Sequence, residues 1–179
     1  MRYFIFLFAF FFYSLCHAQG AAWLLVDTQK KIIQVRHGEQ ILATFEHIAI
    51  GRKGASLKQQ IGDDITPVGT YKITYTNNES HFRTFLGLNY PSVQDAALAL
   101  FSARISYADY QAIMLAHQNN LEPPQDTQLG GLIGIHGVGE GDQKVHGVFD
   151  WTRGCIALSN QQIDRLAKWT YKGMPVQIK

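Results

Sequence analysis

Two residues able to do acyl chemistry stand 19 positions apart in one stretch, His136 and Cys155, within L-I-G-I-H-G-V-G-E-G-D-Q-K-V-H-G-V-F-D-W-T-R-G-C-I-A-L-S-N from Leu132 to Asn160. A short apolar run, Leu132 to Ile135, delivers His136 and Gly137, and a second, Ile156 to Leu158, follows Cys155. A thiol and an imidazole at the mouths of two short strands joined by one loop are a nucleophile and a base within reach, because neighbouring strands lie about 4.8 Å apart. Gly154, just before the thiol, would let a substrate carbonyl approach backbone amides closely, where a developing oxyanion could be held. A free thiol titrates near 8.5. Pairing with His136 and the charge of Arg153 would enlarge its thiolate fraction.

The remaining candidates sit in the same loop. His146 also belongs to a His-Gly pair, and three readings stay open for it: base, substrate contact or loop histidine. Arg153 either clamps a carboxylate bidentately or points to solvent. Trp151 either stacks on substrate or packs under the loop. His136, His146 and Cys155 include metal-ligand types, yet their spacing matches no usual zinc pattern, so neither a metal nor a cofactor is expected. Papain-like peptidases place cysteine before histidine. Sortases keep the order seen here but separate the pair much further and need an arginine after the cysteine.

The elements that must position these residues are legible in outline. Trp23 to Asp27, Lys31 to Arg36 and Ile41 to Phe45 read as an antiparallel meander, with His37 and His47 as solvated turn and edge residues. Gly51 to Asp64 is a glycine-bearing polar loop that could border the site. Thr66-Pro67-Val68-Gly69-Thr70-Tyr71 leads into a strand over Lys72 to Tyr75. Asn77 to Arg83 reads as loop, and Phe85 to Pro91 as an apolar passage lining core or cleft. Helical periodicity covers Val93 to Ala103 and Tyr107 to His117, the latter N-capped by Ser106. Gly130-Gly131 reads as a flexible hinge. A last helix starts from a Ser159/Gln162 capping box, and Pro175 to Ile178 closes as an edge strand. The whole is mainly β with some α, one domain with about three helices.

Composition bounds the rest. The chain has 179 residues, 46% hydrophobic and 17% charged, with a formal net charge of +2. Lys and Arg are scattered without a basic run, which speaks against a nucleic-acid partner. Arg2, the apolar run Tyr3 to Tyr13 and Ser14-Leu15-Cys16-His17-Ala18 fit a signal peptide over residues 1–18, leaving a domain over 19–179. The run is shorter than the roughly 20 residues that span a bilayer. In an exported protein the mature chain then keeps a single cysteine, Cys155, with no internal disulfide partner.

Four separated segments together resemble the L,D-transpeptidase catalytic domain of bacterial cell-wall enzymes: Thr66 to Tyr71, Leu88-Asn89-Tyr90-Pro91, Leu129-Gly130-Gly131 running into Ile135-His136-Gly137, and Thr152 to Leu158. The resemblance spans nearly the whole mature chain. It implies a β-sandwich-like mixed fold, export to the periplasm or cell envelope, and a cysteine acyltransferase acting on peptidoglycan stem peptides. In the family the thiolate attacks the bond between diaminopimelate and terminal D-Ala, expels D-Ala and leaves a thioester. An amine then takes the acyl group, from a second stem or from an envelope lipoprotein, while water in its place makes a carboxypeptidase. Carried over by position, Cys155 matches the nucleophile, His136 the base and the Gly137 carbonyl the group that orients the ring. The amides of Gly154 and Cys155 match the oxyanion donors. Arg153, His146, Trp151 and Tyr90 are candidate substrate contacts on the residues themselves, since the family role at Arg153 does not transfer. Many members carry His at the place of Arg153 and Arg or Asn at that of Ala157, a departure that bears on substrate choice more than on catalysis. A peptidoglycan-binding domain without turnover is the competing reading, and nothing in the sequence speaks to oligomeric state.

Overall fold

A computed structural model describes residues 21–179. The signal-peptide expectation, residues 1–18, lies outside the described residues. The chain forms β1 Trp23–Asp27, β2 Ile32–His37, β3 Gln40–Glu46, β4 Ala55–Ser56, β5 Thr66–Pro67, β6 Gly69–Ser80 and β7 Arg83–Leu88. It continues with α1 Val93–Phe101, α2 Tyr107–Gln118, β8 Gly134–Gly137, α3 Gln143–His146, β9 Ile156–Leu158, α4 Asn160–Ala167 and β10 Pro175–Ile178. Mainly β with some α describes it, and the three expected helices are joined by the one-turn α3.

Eight strands make one sheet in the order β3-β2-β1-β10-β6-β7-β8-β9. Pairing is antiparallel except for β1 with β10 and β8 with β9. Alternation drives the meander: in β2, Ile33 and Val35 are fully buried while their neighbours are partly exposed, as a strand with one covered face requires. Residues leaving β3 then reach the far end of the sheet. Ala49 exchanges both backbone hydrogen bonds with Ala157 of β9, N to O at 3.0 and 2.8 Å. One end of the sheet is thereby tied to the other, which accounts for the sandwich-like character.

Leu24, Val26, Ile33, Val35, Phe45, Tyr71, Ile73, Leu86, Ile135, Ile156, Ile163 and Leu166 belong to one buried core cluster. Serines 92, 106 and 159 each close a capping box with Asp95, Asp109 and Gln162, satisfying amides that the first helical turn leaves unpaired.

Three expectations need correction. Residues 77–80 are strand rather than loop, because β6 runs on to Ser80 and pairs with β7 through a register shift. Pro175–Ile178 is an interior strand, flanked by β1 and β6. Proline stands at its first position, where a missing N–H costs least. Gly130-Gly131 is no hinge. Gly130 N donates to Thr127 O at 2.8 Å, and a Cβ on Gly131 would lie 2.5 Å from Gln125 Oε1.

Candidate active site

Register brings the imidazole and the thiol to one face. Phe85 of β7 pairs with His136 of β8, and His136 pairs with Ala157 of β9. Paired residues point the same way and every second residue repeats it. Continued past the end of β9, that register sets Cys155 beside Gly134, diagonal to His136 at roughly 8 Å between Cα atoms.

Aromatic rings enclose His136. Phe85 is stacked on it at 5.8 Å and 11°, Phe82 lies 4.4 Å away, and Trp151 meets it edge-on at 5.9 Å. Gly134 makes this possible, since a Cβ there would lie 2.5 Å from Phe85 Cζ. His136 is 2% exposed, and burial pushes its pKa down to about 4, opposed by its bond to Gly137 and assisted by neighbouring His146. Nδ1 stands 2.6 Å from Gly137 O. A carbonyl only accepts, so Nδ1 carries the hydrogen and Nε2 keeps the basic lone pair.

Thr152 shapes the turn that presents the sulfur. Its hydroxyl donates to Cys155 O at 2.7 Å and accepts from Gly154 N at 3.1 Å. The Gly154 amide is thus engaged within the turn rather than offered as an oxyanion donor. Glycine is nevertheless required at 154, where φ is +132° and a Cβ would lie 2.7 Å from Ile65 O. The Cys155 thiol donates to Leu132 O at 3.4 Å. Burial pushes its pKa up to about 11, with the Gly134 backbone and the Lys58 charge pulling the other way. Burial thus opposes the enlarged thiolate fraction expected from His136 and Arg153, and the cation felt at the sulfur is Lys58.

The other candidates separate. Arg153 is exposed and lines, with Cys155 and Lys58, a cavity of about 260 Å³. Trp151 lines a second cavity of about 580 Å³ together with Phe82, Val138 and Val145, rimmed by Glu140 and Asp142. His146 is 7% exposed, and its Nδ1 accepts from Trp151 Nε1 at 3.4 Å. It supports the indole. Among the described residues its Nε2 has no partner. Tyr90 is corrected from substrate contact to core: it is fully buried, and its hydroxyl donates to Leu129 O at 3.1 Å.

Sequence reasoning missed Thr152, Gln125, Leu132 and the buried ammonium of Lys58. Thr152 had a local signal, a hydroxyl two residues before the glycine that abuts Cys155. Lys58 was only one of several cations in a loop, and the contacts of Gln125 are nonlocal. Among the described residues no group of three or more His, Cys, Asp or Glu side chains is placed to hold a metal ion.

A buried neutral base, its tautomer set by a carbonyl, on the same face as a thiol that opens to a cavity can run nucleophilic acyl transfer. The sequence model of the L,D-transpeptidase catalytic domain matches residues 21–178. A search of curated sequences finds no significant match. The fold is similar to that of the helical cell shape determining protein Pgp2 from Campylobacter jejuni, with a TM-score of 0.62 and 23% identity over 89% of this chain and 47% of that one. It is also similar to Bd1075 of Bdellovibrio bacteriovorus, with a TM-score of 0.53 and 21% identity over 90% of this chain and 49% of that one. The chain spans about half the length of these structures.

Proposed function

The chain belongs to the L,D-transpeptidase catalytic domain family, and from that membership we propose that it is an exported cysteine acyltransferase acting on peptidoglycan stem peptides, with a part in cell-wall biogenesis and cell shape. What supports this reading is the register of β8 with β9, which continued by one residue sets Cys155 on the face of His136, together with Nδ1 committed to Gly137 O and Nε2 left to take a proton.

In the proposed cycle the thiol swings from Leu132 O by rotation about χ1 and gives its proton to His136 Nε2 as sulfur attacks the carbonyl of the diaminopimelate–D-Ala bond. A neutral pair suits this order, because the proton leaves as the S–C bond forms and no buried thiolate need exist beforehand. The Cys155 amide serves the oxyanion. Protonated His136 then hands its proton to the departing D-Ala amine, leaving a thioester on Cys155. His136, neutral again, takes a proton from an incoming amine as that nitrogen attacks the thioester, and returns it to the Cys155 sulfur as the C–S bond breaks. The cavity beside Phe82 and Trp151 offers room for such an acceptor, a second stem peptide or a lipoprotein lysine. Water in that place makes the same protein an L,D-carboxypeptidase.

Incubation of the purified protein with a diaminopimelate-containing tetrapeptide tests the reading. D-Ala release and a covalent adduct on Cys155 by intact-mass spectrometry are expected, with crosslinked or trimmed product reporting the acceptor. Undiminished release by Cys155→Ala would refute it.

A further inference from the structure

The cavity beside the sulfur has one electrical sign. Its charged lining side chains are Lys58 and Arg153, and the rest is Cys155, aliphatic side chains and glycine backbone. Lys58 is the unusual member, because its side chain is 3% exposed and a buried ammonium is costly unless paired. It is paired with Asp63 and lies 3.4 Å from Ile65 O.

The fold of this loop does not explain the lysine. Asp63 already collects the amides of Gln59 at 2.8 Å, Gln60 at 3.1 Å and Ile65 at 3.0 Å, bonds that close the turn without any cation. Buried ion pairs are commonly no more stabilising than apolar groups of the same volume. An ammonium has three hydrogens, and the two protein partners use two of them. Its charge also registers at Cys155, which places it within electrostatic reach of the sulfur.

We infer that Lys58 and Arg153 form a carboxylate anchor, which binds a free carboxylate of the acyl donor close to the carbonyl that the sulfur attacks. The inference rests on the acyl-transfer reading and narrows it to donors bearing that charge. Lys58 supplies a fixed, desolvated cation, and exposed Arg153 can close over the same group from the rim with two parallel hydrogen bonds. At about 260 Å³ the cavity suits a small terminal group rather than a whole peptide. Two carboxylates of a stem peptide share this chemistry, that of the leaving residue and that on the diamino-acid side chain.

Steady-state kinetics on three donor peptides separates the cases: the free acid, its C-terminal amide, and the peptide amidated on the diamino-acid side chain. Wild type is expected to lose about 10- to 100-fold in kcat/KM, mainly through KM, on amidation of one of the two. Lys58→Met is expected to lose a similar factor on the free acid and none on that amide, with Lys58→Arg restoring part of it. Lys58→Met combined with Asp63→Asn, which leaves no unpaired buried carboxylate, is expected to match Lys58→Met in kinetics while retaining wild-type thermal stability. Equal turnover of all three peptides by wild type, or an equal loss on acid and amide in Lys58→Met, overturns the anchor alone. A wild type inert toward every peptide overturns the acyl-transfer reading and the anchor with it.

Discussion

The Cys155 sulfur faces the carbonyl of Leu132 at 3.4 Å, and Leu132 is a non-glycine residue held at φ +54°. That conformation is one L residues seldom adopt, and Gln125 over-determines it. Its Oε1 accepts from Leu132 N at 2.6 Å, while its Nε2 donates to Tyr90 O at 3.0 Å and Pro123 O at 2.7 Å. A single amide side chain thus sets where the resting thiol points.

Gln125→Ala is expected to lower stability by about 1–3 kcal/mol, because three backbone groups lose their partner at once. Leu132→Gly is expected to stay within about 1 kcal/mol of wild type, since glycine accepts this φ without strain. Urea denaturation of both variants checks the pair. A Gln125→Ala protein as stable as wild type would show that the turn holds itself.

Alkylation of Cys155 by iodoacetamide should accelerate steadily from pH 7 to pH 10. With the thiol pushed up to about 11, the reactive thiolate keeps increasing over that whole range. An ordinary cysteine levels off above about 9. A plateau at or below pH 7 would mean that an ion pair with His136 already exists in the free protein.

Mild acid should weaken the fold through its buried histidines. Above about 6.5 the imidazole of His136 is neutral in both folded and unfolded chains. As pH falls toward 4 the unfolded chain binds a proton that the buried ring refuses, so stability drops by up to on the order of 3 kcal/mol. His146, held down by burial in the same way, adds to the fall. Unfolding free energies at pH 7 and pH 4.5 measure the slope, and His136→Gln is expected to flatten it.

Tyr90→Phe separates core from cleft. Losing the hydroxyl leaves buried Leu129 O without its donor and should cost about 1–2 kcal/mol in stability, with kcat/KM unchanged once the protein is folded. A selective rise in KM at unchanged stability would return Tyr90 to the substrate surface.

Sequence order and residue type were enough for the meander, for the three longer helices with the caps at Ser106 and Ser159, and for the strand ends at which His136 and Cys155 stand. In each case the signal is local: alternation, a cap three residues from its partner, or a reactive side chain beside glycine at the end of an apolar run. What stayed hidden depends on which distant pieces meet. Tyr90 became core because Leu129 lies over it, and Lys58 drew in beside the sulfur because the turn around Asp63 folds back toward Cys155. The interior place of β10 follows from the chain's last residues slotting between β1 and β6. The lowered imidazole is likewise an effect of enclosure by Phe82, Phe85 and Trp151, residues whose convergence no spacing announces.

The two hydrogen bonds between Ala49 and Ala157 reach beyond architecture. They occupy the outer rim of β9, the strand that follows Cys155, so a peptidic ligand finds no vacant ladder there on which to lay itself as an added strand. Approach must come from above, perpendicular to the pleat, by side-chain and end-group recognition. Inhibitors drawn as extended all-L strand mimics would lack purchase at this rim, whereas compact electrophiles with an anionic handle match the opening that is left.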